Sequence, residues 1–81
     1  MKAKEVEKVV HRAPFQPFRL VLNDGEEITV RRPRKSHVSG KQIALHGECR
    51  RSGGPVVERF RLINVDNVVT AEVVDLQAET N

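Results

Sequence analysis

The sequence predicts a mostly β fold with one N-terminal helix, closing as a small, five-stranded, strongly bent antiparallel barrel. Three observations carry this. The stretch "FRLVLNDGEEITV" is a β-hairpin: Phe18, Leu20 and Leu22 alternate with Arg19, Val21 and Asn23, Asp24-Gly25 supplies the turn, and Ile28 and Val30 alternate with Glu27, Thr29 and Arg31. Two further alternating segments, "VVERFRLI" and "VVTAEVV", are separated only by "NVDN". With 81 residues the chain has room for one domain and one small core.

Each element follows in order. Ala3, Val6, Val10 and Ala13 fall at i, i+3, i+7 and i+10, a narrow apolar stripe that predicts a helix over about 2–12. Pro14 stops it, because the residue before a proline avoids the α region. "APFQPF" is an extended connector whose prolines cannot donate to a sheet. The hairpin supplies strands one and two, and Pro33 ends the second. "RKSHVSG" reads as a loop with Ser39-Gly40 as its turn. "KQIALHG" is a third strand with Ile43 and Leu45 on one face, and "ECRRSGGP" reads as a long polar loop. In the fourth strand Val56, Glu58, Phe60 and Leu62 share one face, and Val57, Arg59, Arg61 and Ile63 the other. "NVDN" is one tight turn of 3₁₀ type. In the fifth strand Val69, Ala71 and Val73 oppose Val68, Thr70, Glu72 and Val74.

A helix and then five short strands, with a one-turn link before the last, is the element order of an Sm-like or Src-homology-3-like barrel. Closure would remove the edges that an open sheet exposes. The alternative is an open α+β sheet with the helix on one face. The domain is expected to span 1–81, with the barrel over about 15–75 and a frayed tail over 76–81.

The charge is unevenly spread. Residues 1–30 are neutral in sum, 31–61 carry a net +7, and 62–81 carry a net −4. A basic middle and an acidic end suit an anionic partner, or each other in a neighbouring copy. There is no Trp or Tyr and only three Phe, so Val, Leu and Ile must fill the core. Phe15 is the one Phe expected outside it. A single cysteine, Cys49, excludes an intramolecular disulfide and suits a reducing compartment. No apolar run is long enough to span a membrane and "MKAKEVEKVVHR" lacks a secretory apolar region, so the expected location is cytoplasmic, with no membrane partner.

The segments "PFQPFRLVLNDG", "TVRRP", "HVSGKQIAL" and "NVVTAEV" occur in the order found in a group of small uncharacterised bacterial proteins common in planctomycetes. The chain resembles that group from about Val10 to Val74. The resemblance implies the fold and no activity. The group often carries His-Pro and an acidic residue where this chain has Arg32-Pro33-Arg34, so the basic run belongs to this sequence alone. "HVSGKQIAL" also resembles, faintly, the D-x-S-x-x-G strand of cyclic-dinucleotide-binding PilZ domains, but the acid and the correctly spaced glycine are absent.

The candidate binding residues are Arg31, Arg32, Arg34, Lys35, Lys41, Arg50, Arg51, Arg59 and Arg61. Arginine's planar fork bonds two phosphate oxygens at once, so these residues predict contact with RNA or DNA backbone if the loops after strands two and three meet at one end. Base reading is not expected without aromatic platforms. The second expectation is a protein-interaction or homo-oligomeric module joining strand four of one copy to strand five of the next. No metal site is expected, because His11, His37, His46 and Cys49 offer only His46-x-x-Cys49 as a ligand pair. Cys49 in an arginine-rich loop could have a lowered pKa and be reactive, but the preferred reading is an incidental thiol and scattered surface histidines. Yet Cys49, His46 and Glu48 make no nucleophile arrangement, and Ser36-x-x-Ser39-Gly40 lacks the Gly-Lys-Ser/Thr of a phosphate loop. Neither an enzyme nor a cofactor is expected.

Overall fold

The computed structural model describes residues 1–74. The predicted tail, 76–81, and residue 75 lie outside them. The chain forms helix α1 (Ala3–Val10) and strands β1 (Phe18–Leu22), β2 (Glu26–Val30), β3 (Ser36–Ser39), β4 (Gln42–Arg51), β5 (Val57–Asn64) and β6 (Val68–Val73). A 3₁₀ turn, Val65–Asn67, joins the last two.

The fold class is the one the sequence predicts, mostly β with one short N-terminal helix and a strongly bent antiparallel sheet of five strand positions. In order these are β6, β1, β2, β4 and β5. The sheet curls only into a half-barrel, however, and among the described residues β5 does not pair with β6, so the expected closure is not complete. The hairpin forms as expected. Gly25 donates to the Leu22 carbonyl at 3.0 Å and adopts φ 87°, and the Glu26 N–H reaches Asp24 Oδ1 at 2.9 Å. That is a tight turn followed by a left-handed residue, which glycine adopts without steric cost.

Two expected loops turn out to be strand. "RKSHVSG" contains β3, which pairs Ser36–Ser39 with Leu45–Gln42, while β2 pairs Glu26–Thr29 with Arg51–Glu48. β2 and β3 therefore lie end to end along β4 and together fill one strand position. "ECRR", read as polar loop, is the second half of β4, and only the residues after Arg51 form the connection to β5. Its inward positions, Gly47 and Cys49, are small, so the alternation begun by Ile43 and Leu45 faded from view. A Cβ on Gly47 would stand 2.8 Å from the Thr29 carbonyl oxygen, and 3.1 Å from the side chain of Val30. The bare glycine lets β2 and β4 approach this closely where the sheet bends.

The core is aliphatic around one aromatic: Phe18, Leu20, Ile28, Val30, Ile43, Leu45, Ile63, Val65 and Val68, closed by Val6 and Val10 of the helix. α1 packs across β3 and β6. It is pinned at one end by the N-terminal ammonium on the Val68 carbonyl at 3.1 Å, and at the other by His11 Nε2, which accepts from the Val38 N–H at 3.1 Å. It stops at Val10, short of the predicted 12, so Ala13 falls beyond it and is exposed.

Two phenylalanines exchange their expected places. Phe15 packs on the core in an edge-to-face contact with Phe18, ring centroids 6.3 Å apart. Phe60 is 65% exposed. The predicted division of β5 into two faces is correct, but the core-facing one is the set with Arg59, Arg61 and Ile63, because Ile63 pairs with Ile43 and Phe60 with His46. In β6 a register shift opposite Val21/Leu22 breaks strict alternation, so that Val68, opposite Leu22, and Ala71, opposite Leu20, both pack on the core.

Candidate functional site

The nine basic residues fall into separate groups. Arg31, Arg32, Arg34 and Lys35 form the turn at the β2–β3 junction, beside the middle of β4, where the His46 N–H donates to the Lys35 carbonyl at 2.7 Å. Arg31 is tied to Glu48 at 2.9 Å. Arg32, Arg34 and Lys35 are exposed and make no ion pair among the described residues. A shallow groove beside this turn is lined by Arg31, Arg32, Lys35, His46, Glu48 and Glu58.

Arg50 and Arg51 lie four and five residues further along β4, roughly 13–17 Å away at ~3.3 Å per residue. The two loops therefore do not share one end. Arg50 faces outward opposite Glu27 and lines a second shallow groove with Arg19, Arg31 and Glu48, so of the turn residues only Arg31 meets it. Lys41 sits at the other end of β4, 3.9 Å from Asp66.

Arg51, Arg59 and Arg61 do converge, with Glu26 and Cys49, on a groove edged by Pro55 and Val57. Glu26 opens β2 on the core-facing side, two residues from Ile28 and four from Val30, and its side chain is only 8% exposed. Arg61 reaches across β4 and places Nη1 2.5 Å from Glu26 Oε2. This contact raises the Arg61 pKa, against the opposing effect of burial, and keeps the guanidinium charged. Arg51 Nη2 is held by Asp24 Oδ2 at 2.7 Å and stands 3.9 Å from Glu26 Oε1. Glu26 Oε1 itself is buried with no hydrogen-bond partner. Glu26 was missed as a site residue, although its parity with Ile28 and Val30 already placed it on the buried face.

The remaining expectations about chemistry resolve on strand parity. Cys49 is not in an arginine loop but in β4, buried. Burial pushes its thiol pKa up, and the hydrogen bond from Arg61 only partly opposes this. The lowered pKa that a place in an arginine loop would bring is therefore absent, because burial outweighs the neighbouring charge. His46 points to the opposite face, with Nδ1 3.6 Å from Glu58. His11 and His37 stack elsewhere, ring centroids 5.2 Å apart. Among the described residues no three His, Cys, Asp or Glu side chains are placed to hold a metal ion.

The exposed large apolar side chains of the described residues are Val56, Val57, Phe60, Leu62, Val69 and Val73. They lie on β5, on β6, or at the residue leading into β5. Like β3, whose Val38 N–H is taken by His11 and against which α1 packs, these strands have a single partner each, β4 for β5 and β1 for β6. No helix among the described residues is long and apolar enough to cross a membrane. No protein-family model, no curated protein and no solved structure matches this chain.

Proposed function

We propose that this chain is a non-enzymatic assembly module whose copies join head to tail, the β5 edge of one to the β6 edge of the next. The observation that supports the reading is the concentration of exposed apolar side chains on the two open edges. An unpaired edge presents free N–H and C=O groups, and burying a Phe or Leu side chain contributes about 1.5–3 kcal/mol. A second copy offers what both edges lack, a strand and an apolar flank. Charge leans toward unlike edges: β5 carries Arg59 and Arg61 with Glu58, a net +1, whereas β6 carries Glu72 and no base. A β5–β5 pairing would bring two net-positive strands together.

The test is complementation. Phe60→Lys with Leu62→Lys disables one edge, and Val69→Lys with Val73→Lys disables the other. By light scattering each variant alone is expected to be monomeric, and an equal mixture to give dimers, since one good edge of each kind remains. A wild-type monomer at high concentration, or dimers of the β6 variant alone, would overturn the reading.

A second reading has its own support. Arg32, Arg34 and Lys35 offer three cations without ion-pair partners among the described residues, which suits the phosphate backbone of RNA or DNA. Neutralising three phosphates predicts a salt slope of about −2 to −3. The variant with all three changed to Ala is expected to lose that slope. Binding with no salt dependence, or none at low salt, would count against it.

A further inference from the structure

We infer that the groove between β4 and β5 binds inorganic hydrogen phosphate and discriminates against sulfate. This goes beyond assembly and is read by ligand binding rather than by mass, so the two can fail separately. The argument starts from Glu26. Its side chain is 8% exposed, one oxygen is committed to Arg61, and the other, Oε1, has no hydrogen-bond partner. A buried acceptor without a donor costs about 1–3 kcal/mol, more when it is charged. The same groove holds Arg51, Arg59 and Arg61. Arg61 is tied to Glu26, and Arg51 gives Nη2 to Asp24 and keeps its other N–H donors for a ligand, while Arg59 is exposed and makes no ion pair among the described residues.

This combination selects by chemistry. A simple cation would satisfy Oε1 but meet three guanidinium groups. A fully deprotonated anion would satisfy Arg59 but face the Glu26 carboxylate. Hydrogen phosphate suits both, because its O–H can donate to Glu26 Oε1 while its anionic oxygens accept from Arg59 and Arg51. Sulfate and phosphodiesters carry no O–H near neutral pH. The Arg51 side chain stands 3.9 Å from Oε1 and is 65% exposed, so an anion that reaches Oε1 also meets Arg51. Pro55 and Val57 form an apolar lip that strengthens these charged hydrogen bonds by displacing water.

The test is calorimetric titration of the full chain near neutral pH at fixed ionic strength with phosphate, arsenate, sulfate and dimethyl phosphate. Phosphate and arsenate, which keep an O–H, are expected to bind at least about tenfold more tightly than the other two, a difference near 1.4 kcal/mol. This comparison needs no variant and stands whether or not any substitution folds. Arg59→Ala, at an exposed position, is expected to weaken phosphate by about tenfold. Glu26→Gln, if circular dichroism shows it folded, is expected to abolish the preference over sulfate. Equal affinity for phosphate and sulfate, no heat with phosphate, or undiminished binding by Arg59→Ala would overturn the inference.

Discussion

Arg61 of β5 reaches across β4 to Glu26 of β2, Nη1 to Oε2 2.5 Å, so that one ion pair ties three neighbouring strands together. Arg61→Ala leaves a carboxylate buried with only Arg51 nearby. The expected loss is about 2–4 kcal/mol, toward the low side of a broken buried pair because Arg61 is partly exposed. Replacing both, Glu26→Leu with Arg61→Met, is expected to be within about 1 kcal/mol of wild type, since apolar substitutes remove the desolvation cost as well. Urea denaturation of the three variants measures this.

Gly47 is expected to be intolerant of any side chain. The Cβ of Gly47→Ala would meet the Thr29 carbonyl oxygen at 2.8 Å, and that oxygen belongs to backbone that cannot rotate away. A cost of about 1–3 kcal/mol follows from overpacking, and Gly47→Val is expected to unfold the domain. Thermal midpoints by circular dichroism decide it.

Cys49 predicts an alkaline limb of instability. Its folded-state pKa is raised by burial, so its contribution is fully present below the ordinary thiol value of about 8.5 and is lost as pH rises through the higher folded value. Cys49→Ala removes the group. Its stability is expected to be lower at neutral pH but to fall less steeply above about pH 8.5. Equal slopes for the two proteins would show that Cys49 does not contribute.

Arg34 sets stability against binding. It occupies the left-handed region at φ 64° in the turn after Pro33, a conformation that costs a non-glycine residue roughly 1 kcal/mol. Arg34→Gly is expected to raise stability by up to about 1 kcal/mol. It is also expected to weaken binding to nucleic acid if that second reading holds. Denaturation and salt-resolved binding on the same variant check both signs.

The sequence by itself determined the local geometry. The alternation of Phe18, Leu20 and Leu22 with polar residues, the Asp24-Gly25 turn and the spacing of Val6 and Val10 are short-range patterns, and each formed where its period required. Even the two faces of β5 were legible, because parity needs no partner. Which face turns inward is a different question, and Phe60 shows why it was misjudged: hydrophobicity favours burying a phenylalanine, but the register Ile43–Ile63 puts Arg61 on the core side and Phe60 outside. β3 was invisible for the same reason, having one apolar residue, Val38, and owing its existence to hydrogen bonds with β4. The grouping of the arginines was likewise a tertiary decision. Arg31 to Lys35 and Arg50 to Arg51 look like one basic region in the chain, yet the end-to-end placement of β2 and β3 sets Arg32, Arg34 and Lys35 apart from Arg50 and Arg51 and leaves only Arg31 beside Arg50. The same strand pairing gathers Arg51, Arg59 and Arg61 around Glu26, a convergence across three strands that no spacing along one strand could encode.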